Sequence, residues 1–216
     1  MFTFLLAVAL MGGSCKKEKT ASPASYFPLE EGMEWCYKSY NGDTEDEEAL
    51  IAKVSWNILG DTLIEGKTYL QLTMGGYPFK ALREENGNFY KRKVTGFSST
   101  TSEELLFLKT TQPDGAAWEQ VAGNYKYEFA QTLLPQFASG GQTWKNVIEV
   151  KVTIAFKQPD GTFEPFPDHL TGTVAYARYY FAPGTGVVQV YEPPVFNQFS
   201  EFAYTVSNFM VLSDCM

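Results

Sequence analysis

Between residues 147 and 157 the chain alternates without a break. Ile148, Val150, Val152, Ile154 and Phe156 fall on one side, and Glu149, Lys151 and Thr153 on the other. Successive side chains of an extended strand point to opposite faces. A period of two therefore predicts a strand with one buried and one wetted face, and it conflicts with a helix, which needs apolar residues every three or four positions. Residues 49–59 repeat the pattern, with Leu50, Ala52, Val54, Trp56 and Ile58 set against Lys53, Ser55 and Asn57.

Further strands are predicted over 33–40, over 67–74 with Leu70, Leu72 and Met74 on one face, and over 89–94, 104–109, 173–182, 187–191 and 199–212. Residues 118–130 read as one more, with Tyr125, Tyr127 and Phe129 aligned. Turn chemistry separates them at Asn41-Gly42-Asp43, Gly60-Asp61-Thr62, Asn86-Gly87, Pro113-Asp114-Gly115, Pro159-Asp160-Gly161-Thr162 and Pro183-Gly184-Thr185-Gly186. The one helical candidate is Thr101-Ser102-Glu103-Glu104-Leu105-Leu106, with a hydroxyl as N-cap. About ten short strands at such spacing predict an all-β domain: a sandwich, a barrel or a curled sheet. Aromatic residues, 16% of the chain, agree, because they fit a pleated, half-buried surface. No repeat of solenoid or propeller type is visible, and no boundary divides residues 29–216.

Charge and residue inventory exclude several functions. A formal net charge of −8 repels phosphate backbones, and no Lys/Arg stripe offsets it, so no nucleic-acid partner is expected. A basic membrane-binding face is absent too, so membrane attachment would have to be covalent. The chain has one histidine, His169, and three cysteines, Cys15, Cys36 and Cys215, far from any zinc spacing. Neither a Gly-x-Ser-x-Gly elbow nor a His-Glu-x-x-His pair occurs. No catalytic residue, metal or cofactor is assigned.

The N-terminus carries a different signal. Residues 2–11 are apolar, Phe-Thr-Phe-Leu-Leu-Ala-Val-Ala-Leu-Met, and Gly12-Gly13-Ser14-Cys15 follows. The run has the length of a signal-peptide core and is too short to span a bilayer. Small residues before a cysteine resemble the lipobox of bacterial lipoproteins. The resemblance implies cleavage before Cys15 and acylation of its thiol and new amino group. The match departs from the usual pattern at Gly12, where a large aliphatic residue is usual, and in lacking a basic residue before the apolar run. A cleaved signal with Cys15 as an ordinary thiol is the alternative. The reading divides the chain into a signal peptide, 1–14, a lipidated cysteine and flexible polar tether, 15–28, and one β domain, 29–216.

Three phrases frame the domain. They are Tyr26-Phe27-Pro28-Leu29 with Gly32 and Trp35; Gly60-Asp61-Thr62 with Gly66-Lys67-Thr68-Tyr69; and Tyr179-Tyr180-Phe181-Ala182-Pro183-Gly184-Thr185-Gly186-Val187-Val188. They resemble uncharacterised cell-envelope lipoproteins of the Bacteroidetes, which look similar to half-barrel lipoprotein carriers. The resemblance implies an antiparallel curled sheet or half-open barrel with at most short helical segments. It also implies a place in the bacterial envelope, at the outer membrane, with the face left open. Fold does not fix function.

Remaining candidates are weighed against plainer readings. The run Asp43-Thr44-Glu45-Asp46-Glu47-Glu48 offers carboxylates to Ca²⁺ but lacks EF-hand spacing, and a solvated hairpin tip is the plainer account. Pro183-Gly184-Thr185-Gly186 lacks the third glycine of a dinucleotide fingerprint and reads as a tight turn. Asp168-His169 is half an acid–base pair in a proline-rich loop. Cys36 and Cys215 are free to form a disulfide in an oxidising envelope or to stay as two thiols. Trp35, Trp56, Trp118 and Trp144, with many Tyr and Phe, either line an apolar cavity or are plain core; no lining residue is assigned. The expected function is a non-enzymatic binding or scaffold module for an apolar ligand, a glycan or an envelope protein. The alternatives are a carboxylate-dependent envelope hydrolase and a component of a surface assembly that recruits partners at a sheet edge.

Overall fold

The structure, a computed structural model, describes residues 25–42, 44–93, 103–168, 173–193 and 208–215. Cys15, most of the tether, Asp43, Thr101, Ser102, His169 and residues 199–207 lie outside the described residues. Among the described residues thirteen strands and one short 3-10 turn follow in order. They are β1 (Glu34–Asn41), the 3-10 turn (Glu47–Ala49), β2 (Leu50–Ile64), β3 (Lys67–Met74), β4 (Tyr77–Glu85), β5 (Asn88–Lys93), β6 (Leu105–Lys109), β7 (Ala117–Ala122), β8 (Tyr125–Ser139), β9 (Gln142–Lys157), β10 (Phe163–Pro165), β11 (Tyr176–Ala182), β12 (Gly186–Glu192) and β13 (Asn208–Ser213). All belong to one antiparallel sheet in the order β6-β5-β4-β3-β2-β1-β13-β12-β11-β9-β8-β7, with β10 pairing only β9.

The chain is thus all-β, and the sheet rolls into a nearly closed barrel. The two ends of the strand path are β6 and β7, neighbours in sequence. Side chains stitch them together. The Leu106 N–H donates to Gln120 Oε1 at 2.7 Å, and Trp118 Nε1 donates to the Leu106 carbonyl at 2.9 Å. Gln131, on β8, accepts from the Lys109 N–H at 2.7 Å and donates to the Lys109 carbonyl at 2.9 Å. A primary amide carries a donor and an acceptor at fixed separation, so Gln131 satisfies this stretch of sheet edge as a neighbouring peptide would.

At the opposite junction β1 pairs β13, bringing the two ends of the described chain together. There Cys36 and Cys215 are joined as a disulfide with Cα atoms 5.2 Å apart. Inside the barrel, Trp35, Tyr37, Trp56, Leu72, Phe89 and Ile148 are buried in one continuous apolar core. Burying a side chain of this size contributes roughly 1.5–3 kcal/mol.

The β8–β9 hairpin is longer than the barrel needs. β9 pairs β11 only from Ile148 to Thr153. Near where it leaves, Pro135 lacks an N–H and Asn146 adopts φ 53°. The projecting arm lies against the barrel's outer face: Phe137 stacks on Tyr180 at 4.1 Å, and Leu134, Phe137 and Trp144 pack on Val147, Tyr180, Ala182 and Val188. Its tip reaches β13, where a Cβ at Gly140 would stand 2.6 Å from the Leu212 carbonyl oxygen.

Four expectations are corrected. Gly60-Asp61-Thr62 does not turn the chain. β2 runs through it with a register shift between Ile58 and Gly60, and the reversal comes at Glu65-Gly66. Residues 118–130 are parts of two strands, split at Gly123-Asn124. Leu105 and Leu106 of the helical candidate lie in β6. Strand β4, which the sequence reading did not assign, separates β3 from β5.

Candidate functional site

Register fixes which side chains reach the barrel interior. Leu82 pairs Leu70 and Lys91, and Lys80 pairs Leu72. Because Leu72 and Leu82 belong to the inner core, Lys80 and Lys91 share that inward face. Both border a small chamber with Phe27, Trp56, Phe107, Phe129, Tyr179 and Phe181 as its aromatic wall. Lys80 is 6% exposed, and its Nζ stands 4.6 Å from the centre of the Trp56 ring. Lys91 Nζ lies 5.2 Å from the Tyr179 ring and 5.8 Å from Phe107. Aromatic faces attract ammonium groups, more strongly where water is excluded. Among the described residues that line the chamber none is a carboxylate; the buried Glu192 stands next to it and accepts from the Tyr179 hydroxyl at 2.6 Å.

The free space is about 20 Å³, room for about one water molecule. Phe27 accounts for the filling. It is 2% exposed and meets Trp35, Phe89, Phe107 and Phe181 at ring separations of 5.5 to 6.2 Å. It alone among the chamber's lining residues comes from the segment before β1 rather than from a wall strand. The Pro183–Gly186 turn holds that segment and the start of β1: Gly184 N–H donates to the Ser25 carbonyl at 2.7 Å, and Trp35 Nε1 donates to the Thr185 carbonyl at 2.5 Å. Gly186 has φ 97°, and a Cβ there would stand 2.9 Å from the Phe27 ring. The glycines of this turn therefore serve packing, which suits the tight-turn reading.

A second cluster of charge lies on the outer face. Glu104 accepts from Arg83 Nε at 2.6 Å, from Lys67 Nζ at 2.9 Å and from the Tyr69 hydroxyl. Arg92 donates to the Tyr69 hydroxyl at 3.0 Å and to Glu65 at 2.5 Å. Burial acts to raise the Glu104 pKa, but the hydrogen bonds from Arg83, Tyr69 and Lys67 outweigh it and hold the group down at about 2. Glu65, Glu128 and Asp160 are also displaced downward, each chiefly by a hydrogen bond, from Arg92, Lys126 and Thr162 respectively. A general acid needs the opposite displacement, so none of these four carboxylates is poised as one.

The described part of the acidic run is engaged in structure. Asp46 caps the 3-10 turn through the Glu48 N–H, Glu47 pairs Lys38 at 2.7 Å, and Glu45 accepts from the Gly140 N–H at 3.0 Å. Glu45 and Glu47 border an open polar groove between this loop and the β8–β9 tip. Glu34, Cys36 and Cys215 stand close enough to share an ion, but here both sulfurs are bonded to each other. Asp168 donates its backbone N–H to Thr173, while His169 is outside the described residues. Among the described residues no helix is long and apolar enough to cross a membrane.

No known protein family's pattern matches the chain, and no curated protein does. Two solved structures are similar in shape. One is a candidate lipoprotein from Parabacteroides distasonis, 13% identical, TM-score 0.46, aligned over 88% of this chain and 98% of that one. The other is a candidate exported protein with a YmcC-like fold from Bacteroides fragilis, 12% identical, TM-score 0.44, over 88% and 97%. At these scores it is the strand pairing, rather than the likeness, that carries the barrel.

Of the expected aromatic lining, Trp56 borders the chamber, Trp35 packs beside Phe27, Trp118 stitches the seam and Trp144 lies on the arm. The sequence reading did not single out Lys80 and Lys91. Their one signal is a lysine at the same parity as buried leucines in paired strands.

Proposed function

We propose that this chain is an envelope lipoprotein anchored through Cys15, and that its β-barrel is a non-enzymatic binding module for an apolar ligand. The observation that carries the reading is Phe27. An aromatic side chain from the segment next to the tether fills a ring-lined chamber whose other walls are barrel strands. Withdrawal of a plug of this kind breaks no ladder of the sheet, because Phe27 belongs to none of its strands. Phe27 also lies only a short way past Cys15 in the chain, so filling the chamber and anchoring the domain involve one continuous segment.

A neutral fluorescent probe, N-phenylnaphthylamine, tests the chamber. With the full chain carrying Cys15→Ser, we expect saturable one-site binding that Leu82→Trp, verified as folded by circular dichroism, abolishes by taking from β4 the space that Phe27 vacates. Non-saturable binding, or binding that ignores Leu82→Trp, would remove the proposal's basis. The anchor is tested separately by expression in a Gram-negative envelope: the wild type should fractionate with membranes and the Cys15→Ser variant with soluble protein. Equal retention of both would show that acylation at Cys15 is not the anchor.

A further inference from the structure

We infer that Glu34, Cys36 and Cys215 form a redox-gated site for one Zn²⁺ ion: the disulfide closes the site and a dithiol reductant opens it. The site lies at the β1–β13 junction and owes nothing to the chamber. Register builds it. Trp35 and Tyr37 of β1 are buried in the core, so Glu34 and Cys36, two residues apart, project from the outer face. Cys36 pairs Ser213 on β13, and the same register carried two residues on sets Cys215 opposite Glu34. One donor atom from each of the three residues lies within 4.8 Å of the other two.

The donor set suits the ion. Thiolates select Zn²⁺ and other soft ions over Ca²⁺ and Mg²⁺, and two sulfurs with one carboxylate leave a fourth tetrahedral position for water. With Zn–S bonds of about 2.3 Å, two sulfurs on one ion stand about 3.8 Å apart. The Cα atoms of Cys36 and Cys215 are 5.2 Å apart, so side-chain rotation brings the sulfurs to that separation and the Cys36↔Ser213 pairing stays in place. Glu34 is a second, independent observation. Among the described residues its side chain holds no hydrogen bond or ion pair, and Lys38, the one cation of β1, is taken by Glu47 at 2.7 Å. Its carboxylate therefore has no partner to give up. Glu34 and Cys215 are both exposed, so reductant and ion have access. Opening and filling are two steps. A dithiol gives up two electrons and two protons and becomes a disulfide, while the Cys36–Cys215 bond breaks and two thiols form. As Zn²⁺ binds, each thiol releases its proton to solvent and its sulfur donates an electron pair. The ion then ties β1 to the end of the described chain where the disulfide did.

The experiment uses the full chain carrying Cys15→Ser, so that no third thiol competes. The protein is reduced with dithiothreitol, freed of reductant without air, and titrated with Co²⁺ as a spectroscopic stand-in for Zn²⁺; near-ultraviolet circular dichroism verifies the fold. We expect one Co²⁺ per chain with a thiolate charge-transfer band, its displacement by Zn²⁺, and no such band in the disulfide form. Zn²⁺ should also raise the unfolding midpoint of the reduced chain and slow alkylation of both cysteines by iodoacetamide. Glu34→Gln, a change at an exposed position, should keep the band and weaken Co²⁺ binding about tenfold or more, the scale of groups that tune a metal site. Its disulfide form should unfold where the parent's does. Cys36→Ser should lose the band. A reduced, folded chain without the band overturns the site, as does equal Co²⁺ affinity in Cys36→Ser. Equal affinity in Glu34→Gln and its parent overturns the three-donor set. A reduced chain that stays unfolded with and without Zn²⁺ overturns the site as well.

Discussion

At the residue scale, two positions decide local outcomes by different physics. Gly186 starts β12 with φ 97°, and a Cβ there would come within 2.9 Å of Phe27 and 3.1 Å of Trp35 Nε1. Gly186→Ala therefore meets both backbone strain and a fixed aromatic neighbour. We expect a loss of about 1–3 kcal/mol in urea unfolding, together with a red-shifted tryptophan emission as Trp35 gains water. An unchanged midpoint would show that the segment holding Phe27 yields freely. Glu104 works through charge. Its folded pKa is about 2 against an ordinary 4.5, and its side chain is 15% exposed. Its contribution is thus complete above pH 4.5 and lost as the pH falls from there toward 2, up to about 3 kcal/mol in all. Glu104→Gln should lower stability at pH 6 and flatten the fall in stability between pH 4.5 and 2. An identical acid slope in both proteins would show that other groups set it.

At the scale of elements, the seam between β6 and β7 is the part of the barrel that backbone pairing does not close. Gln131 is 3% exposed and bonds both polar groups of Lys109. Gln131→Leu keeps the volume and strands those groups, so we expect a loss of about 1–3 kcal/mol. Amide exchange at Lys109 and Leu106 should quicken far more than exchange in β3. Uniform protection would mean that the stitching is dispensable. This seam also shows what was legible in the sequence. Strands β2 and β9 stood out because their inward residues are apolar and their outward ones polar. β4 did not, because Lys80 faces inward beside Leu82, and an inward lysine erases the period-two contrast. β7 and β8 merged into one reading because Gly123-Asn124 lies between two aromatic-rich stretches. Gly60 read as a turn because its positive φ serves a bulge here, and both uses leave the same glycine in the sequence. The charged wall of the chamber was hidden for the same reason as β4: lysine in a strand is ordinarily assigned to water, and only register against Leu72 and Leu82 places it inside.

At the scale of the whole molecule, the barrel is a ring with two junctions of unlike strength. The chain runs outward from β1 to β6 and returns from β7 to β13, so its middle meets at the seam and its ends meet at β1 and β13. Side chains close the first junction. A backbone ladder from Cys36↔Ser213 to Asn41↔Asn208 closes the second, and the Cys36–Cys215 bond lies at its end, joining positions separated by 179 in sequence. A cross-link over so long a loop removes much freedom from the unfolded chain; the entropy model puts the gain near 5 kcal/mol, and measured values are typically about 2–4 kcal/mol. The ladders on both sides of β13 survive without the bond, since β13 pairs β12 as well as β1. We therefore expect the Cys36→Ser, Cys215→Ser double variant to keep its near-ultraviolet spectrum while its unfolding midpoint falls by the equivalent of about 2–4 kcal/mol. Reduction of the wild type with dithiothreitol should give the same midpoint. If iodoacetamide labels Cys36 and Cys215 in unreduced, unfolded protein, the two ends are held by the ladder alone. In that case the double variant should unfold where the wild type does, and the strength of this junction must come from β13 lying between two neighbours.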